Sequence, residues 1–222
     1  MAAAAQRVVF IVNIEQGSES EGLFNGMYGR LVGRLKNRGR LSVTTVDSIK
    51  LLQAKCAACS PKETVLLFTN EVIAKRTDLH DMLKHFVSAG GLAIIGCLFS
   101  SFTTPQMTDT LFHALGLQWK NADCYRTTFG LTDMGQSLLT EVSTRYSAMA
   151  GQLSDVPNNQ KLYKPVPDAT TESEVFSVKP ADANLVLAAF GKVGKGAVAY
   201  IGDMNAEDES DRLIIALCMA TW

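Results

Sequence analysis

"LHDMLKHFVSAGGLAIIGCLFSSF", residues 79–102, decides the fold. Leu79, Met82, Leu83, Phe86 and Val87 follow the i, i+3, i+4, i+7, i+8 spacing of an amphipathic helix. Gly90 and Gly91 then offer the left-handed residue that ends such a helix. Leu92–Gly96 is short, apolar and bounded by glycine, the pattern of a strand buried on both faces. Cys97 falls where that strand should end, at the position of a nucleophile in many α/β sheets. It could equally be a small apolar side chain filling space.

The same alternation of strand and helix runs upstream. "RVVFIVNI" (7–14) reads as a strand buried on both faces, and "LSVTTV" (41–46) and "TVLLFTN" (64–70) read as a second and a third strand. Between them, 21–39 reads as a helix with Leu23, Met27, Leu31 and Leu35 inward and Gly39 as its stop. Residues 47–58 read as a second helix, capped by Asp47 or Ser48. Val8–Ile14, Val43–Val46, Val65–Phe68 and Leu92–Gly96 are therefore predicted as adjacent parallel strands with helices on both faces.

Downstream, Thr104 and Pro105 open a helix that Gly116 stops, and 137–150 reads as another helix. Residues 151–172, polar and proline-rich, read as an irregular surface connection. A short β-rich run at 174–178 follows. "NLVLAAFGKVGKGAVAYIGD" (184–203) has the form of a β-hairpin around Gly194–Lys195. The last segment is a helix with an acidic first turn and an apolar face at Leu213, Ile214 and Leu217. The expected architecture is α/β: one three-layer, flavodoxin-like domain over residues 1–222. Its sheet is mostly parallel and doubly wound, with a C-terminal β-hairpin extension.

Composition narrows the function. Twenty-one Lys+Arg against 22 Asp+Glu leave a net charge of -1, so no electrostatic footprint for nucleic acid or an anionic membrane is present. No apolar run reaches the ~18 residues of a membrane span. The start, "MAAAAQRVVF", lacks the basic and long apolar regions of a signal peptide. Five irregularly spaced cysteines do not form a disulfide framework, and a cytoplasmic location is expected. "CAAC" (56–59) closes a helix, whereas a redox pair needs its first thiol at a helix N-terminus. No second Cys or His pair completes a zinc site, so neither metal nor cofactor is expected. "GKVGKG" lacks the Ser/Thr ending of a phosphate-binding P-loop and lies in a hairpin.

Glycines 22, 26, 29 and 33 fall on one helical face. Each costs up to about 1 kcal/mol relative to alanine in a helix interior, which close approach of another backbone would offset. Tight packing on the sheet is the ordinary reason; a loop, or a second subunit and so a homodimer, are the others.

Two stretches carry a family resemblance. "LHDMLKHFVSAGGLAIIG" resembles the helix, double glycine and strand of the class I glutamine amidotransferase-like superfamily. "GKVGKGAVAYIGDMN" resembles the late strand-turn of its ThuA-like and β-galactosidase-trimerisation branches. More faintly, "LFHALGLQWKNADCYRTTF" is similar to a segment in the related domain of intraflagellar-transport and gliding proteins. Catalytic members place a cysteine on a tight turn after this strand, the position of Cys97, with a histidine and an acid after the late strand. Here Leu98 and Phe99 are bulky where that turn needs small residues. The late strand is followed by Asp203 and Glu207 and no histidine. His80, His85 and His113 lie on predicted helices, with His80 and His85 expected to face solvent.

The resemblance thus implies a broken catalytic triad and no glutaminase activity. Deglycase-like members set a carboxylate from the first loop against the thiol. Glu15 and Glu19 would take that role with Cys97, although acidic residues before a helix are also favoured by its dipole. The expected function is a catalytically degenerate amidotransferase-like domain. It would bind a small molecule or a protein partner at the carboxyl ends of the strands. The rim there would be Asn13, Asn70, Glu71, Ser100, Ser101, Asp203 and Asn205. The alternative is a Cys97-dependent hydrolase or lyase acting on a small carbonyl compound.

Overall fold

The computed structural model describes residues 6–15, 19–172 and 177–222. The chain alternates strands and helices through β1 (Arg7–Val12), α1 (Leu23–Lys36), β2 (Leu41–Val46), α2 (Ile49–Ala58), β3 (Thr64–Phe68), α3 (Val72–Lys75), α4 (His80–Ser88) and β4 (Leu92–Ile95). A single turn, α5 (Phe99–Phe102), leads to α6 (Pro105–Ala114). Then come β5 (Lys120–Leu131), α7 (Asp133–Leu138), β6 (Arg145–Ser154), β7 (Lys161–Pro165), the hairpin β8 (Ala188–Val193) and β9 (Gly196–Ile201), and α8 (Asp208–Met219).

Local chemistry sets the helix ends. Ser48 and Thr104 cap α2 and α6, accepting hydrogen bonds from the Leu51 and Met107 amides, and Pro105 takes the first turn. Gly90 ends α4 at φ 120°, a conformation that few side chains tolerate.

The strands form one sheet in the order β2-β1-β3-β4-β9-β8-β7-β5-β6. The four strands expected to be adjacent and parallel are so, with Val9 opposite both Val43 and Val65, and Leu67 opposite Ile94. With β9, which runs parallel to β4, they give the 2-1-3-4-5 order of a flavodoxin-like sheet. The sheet as a whole is not mostly parallel. From β9 through β8, β7, β5 and β6 every pairing is antiparallel. Nor is the late hairpin an extension, because β9 is the central strand.

Side-chain alternation along these strands builds two cores. Val9, Ile11, Val65, Leu67 and Ile94 pack against α1 and α8. Phe10, Val12, Leu66, Phe68 and Ile95 pack against α2, α3, α4 and α6. This is the expected three-layer arrangement.

Three local expectations fail. Residues 137–150 are not a helix: α7 ends at Leu138 and β6 begins at Arg145. Residues 151–172 hold the end of β6 and all of β7 rather than an irregular connection. In α1 the buried face is Phe24, Tyr28, Leu31 and Leu35, while Leu23 and Met27 are exposed. The glycine stripe therefore meets no neighbour: a Cβ at Gly22, Gly26, Gly29 or Gly33 would touch nothing within 4 Å. The β-rich run expected at 174–178 lies, but for its last two residues, outside the described residues.

Candidate functional site

Cys97 follows β4 with φ 58°, the left-handed turn that an exposed nucleophile would require. Its surroundings do the opposite of activating it. The residue is 2% exposed and packs in the α1/α8 core. Burial pushes its thiol well above the ordinary range, and the carboxylates of Asp211 and Asp203 push it further. The two amides that could have stabilised an oxyanion are already committed. Leu98 N–H donates to the Thr69 carbonyl at 2.9 Å and Phe99 N–H to the Gly96 carbonyl at 3.1 Å.

The expected carboxylate partners of Cys97 are engaged elsewhere. Glu15 accepts from the Asn13 side-chain amide at 2.9 Å. Glu19 is exposed and pairs with Lys75 at 2.7 Å. The acids whose charge acts on the thiol are Asp203, after β9, and Asp211, on α8. Asp203 is buried and accepts from the Asn205 and Glu207 amides at 3.0 and 2.8 Å, so it ties down the turn into α8. Asp211 is held by Arg30 of α1 at 3.0 Å. The Tyr28 hydroxyl, buried close enough to feel Cys97, Asp203 and Asp211, has no hydrogen-bond partner among the described residues. Sequence reasoning missed Tyr28 and Asp211; the signal available was an unusual polar group in the apolar stripe of each helix.

The loops after β1 and β3 form a second cluster. Thr69 donates to the Asn13 side chain at 2.9 Å, and Asn70 donates to the Ile14 carbonyl at 3.0 Å. Glu71, fully buried, accepts from the Glu19 amide at 2.7 Å and the Ser20 hydroxyl at 3.2 Å, with the Lys75 ammonium at 3.4 Å. These residues stitch two loops together.

Ser100 hydrogen-bonds Tyr200 at 2.9 Å, and Tyr200 donates to the Gly151 carbonyl at 2.6 Å. Ser101 is half-buried and Asn205 exposed. Gly151 belongs to β6, which lies along the segment leaving β9: its amide donates to the Gly202 carbonyl and Met204 N–H to the Met149 carbonyl, both at 2.9 Å. The approach is so close that a Cβ on Gly202 would sit 2.0 Å from the Gly151 oxygen. Strand β6 thus covers the carboxyl end of the central strand, where an open cleft was expected.

The histidines divide. His85 and His113 are exposed. His80, expected to face solvent, is buried instead, with its Nε2 3.0 Å from the Ile73 carbonyl. Cys56 and Cys59 end α2 as free thiols, and burial pushes Cys56 up to about 12. Among the described residues, no cluster of His, Cys, Asp and Glu is placed to hold a metal. No described helix is long and apolar enough to cross a membrane.

Similar structures fit this architecture. A protein described as ThuA-like from Parabacteroides merdae ATCC 43184 superposes with TM-score 0.55 at 9% identity, over 97% of this chain and 89% of its own. A cytoplasmic protein from Salmonella typhimurium LT2 matches with TM-score 0.57 at 12% identity, over 96% and 98%. The β-galactosidase of Bacillus circulans sp. alkalophilus matches with TM-score 0.55 at 12% identity, over 99% of this chain and 32% of its own. At these identities the likeness is one of fold, and it agrees with the ThuA-like resemblance at that level. No family model and no curated protein sequence matches the chain.

Proposed function

We propose that this chain is a catalytically degenerate amidotransferase-like domain of the ThuA-like kind, acting by binding rather than by chemistry. The observation that carries the reading is the state of Cys97. It keeps the backbone of a nucleophile, yet its thiol is buried within electrostatic reach of two carboxylates and the nearby amides are occupied. A reactive thiol needs the reverse, an electropositive and partly exposed niche. The cover of β6 over the strand ends favours a protein partner at the Glu15, Ser101 and Asn205 rim over a small molecule entering beneath it. A cytoplasmic location belongs to the same reading, supported by five free cysteines.

The rival, a Cys97-dependent hydrolase or lyase acting on a small carbonyl compound, is favoured by one observation, the left-handed backbone at Cys97. Native alkylation with iodoacetamide, mapped by mass spectrometry, separates the two. Exposed Cys124 should label first, with Cys97 and Cys218 protected until the chain unfolds. Rapid labelling of Cys97 with an apparent pKa well below ~8.5 would establish the enzyme instead. Glutamine should release no ammonia; release that Cys97→Ser abolishes would have the same force.

A further inference from the structure

At the opposite end of the sheet, α1 and α8 and the chain after α7 enclose a groove of ≈ 690 Å³. Its rim is Arg34, Arg38, Arg40 and Arg212, and its apolar floor includes Ile215 and Met219. We infer that this groove is a binding site for a phosphate monoester with an apolar body, and that Glu141 holds its place when it is empty.

The ordinary account of such arginines is the attraction of helix C-termini for cations together with surface ion pairs. It covers only part of the cluster. Arg30, Arg34 and Arg212 share two carboxylates: Asp208 lies 2.6 Å from Arg34 and 2.8 Å from Arg212, and Asp211 lies 3.0 Å from Arg30. Arg38 pairs with Glu141 at 3.2 Å. Arg40 lies beyond the end of α1 and makes no ion pair among the described residues. These five arginines face four carboxylates, Asp208, Asp211, Glu141 and Glu209, the last acting on Arg30, so two positive charges are left once Glu141 is displaced. That excess matches a phosphate monoester, which carries about -1.5 to -2 near neutral pH, better than a single carboxylate. Guanidinium groups hold phosphate oxygens in paired hydrogen bonds. The volume is that of a small-molecule site, and the floor gives the apolar part somewhere to go.

The backbone that presents the rim is fixed. The Arg40 carbonyl accepts from Arg7 N–H at 3.0 Å and the Arg38 carbonyl from Leu41 N–H at 2.8 Å, so the turn is pinned to β1 and β2. Glu141 enters from the far side on a residue with φ 60°, and its exposed carboxylate lies on Arg38 where the ligand oxygens would go.

Titration calorimetry of the full chain at low ionic strength tests the site, with 4-nitrophenyl phosphate, inorganic phosphate and 4-nitrobenzoate as probes. The aryl phosphate should saturate one site, and the other two should bind at least about fivefold more weakly, since each lacks one of the recognised features. Arg38→Gln/Arg40→Gln should weaken the aryl phosphate about tenfold or more, and added salt should weaken it as well. Glu141→Gln should tighten it about threefold by removing a competing carboxylate. All three positions are exposed, and unchanged thermal midpoints in the free variants will show that their folds are intact. The proposal falls if the aryl phosphate does not saturate, if the double variant binds it as well as the parent, or if 4-nitrobenzoate binds equally well. It falls too if Glu141→Gln leaves affinity unchanged or lowers it.

Discussion

Asp203 sets burial against hydrogen bonding. Burial raises its carboxyl above the usual 3.8, while the Asn205 and Glu207 amides and Ser210 pull it back and do not prevail. A carboxyl raised on folding binds more protons folded than unfolded. Its stabilising contribution is therefore full below the unfolded value and is lost as pH rises through the folded one. Asp203→Asn removes that loss. Whatever fixed offset follows from replacing the carboxylate, the variant should gain on the parent as pH rises from about 4 towards 7. Thermal midpoints across that range check this, and a difference that stays constant with pH defeats it. At Cys97 a smaller effect is expected. Cys97→Ala should cost about 1 kcal/mol or less in denaturant unfolding, because little volume is lost from a small side chain. A much larger cost would mean that the thiol makes a specific contact.

Among the elements, β1, β3 and β4 were legible because each is a continuous apolar run between turn residues, a pattern that burial on both faces explains, whereas the edge strand β2 was legible from its β-branched residues. Strand β6 was not. Tyr146, Ala148 and Ala150 alternate inward, but alanine favours helices and the small side chains leave a faint period of two. Missing β6 meant missing the cover over Gly202. The candidate site was legible to the same extent: the place of Cys97 follows from its strand, whereas Asp211 and Tyr28 come from distant helices that only tertiary packing assembles. The glycines of α1 teach the converse, since a stripe that looks built for contact meets nothing within this chain. Gly26→Ala and Gly29→Ala should each stabilise the monomer by about 0.5–1 kcal/mol, as in any open helix interior. A parent whose stability rises with protein concentration, and variants that lose that rise in sedimentation and unfolding together, would instead reveal a second copy seated on that face. Gly202→Ala should do the reverse and cost several kcal/mol, ~2–4, because its Cβ would meet backbone rather than a side chain that can turn away.

For the whole molecule, the two cores lie on opposite faces of one sheet whose middle strands, β4 and β9, have side chains in both. Neither core can open without uncovering the same strands, so the chain should unfold as one unit over residues 1–222. The antiparallel half gives the sharper reason to test this. Its outer strands β7, β5 and β6 join the rest of the sheet through the β7–β8 ladder, which has two registered pairs and an irregularity between them. If that seam were the only connection, two transitions would follow. Phe129, Tyr146, Ala148 and Leu162 from beyond the seam, however, pack into the same core as Leu31 of α1 and Leu213 of α8. Leu31→Ala on one face and Leu83→Ala on the other each remove a fully buried side chain, a change that costs about 2–5 kcal/mol. At about 2–4 °C per kcal/mol for a chain of this size, each should lower a single thermal transition by roughly 4–20 °C. Calorimetry that resolved two transitions, with each substitution moving only one of them, would divide the chain into two domains at the β7–β8 seam.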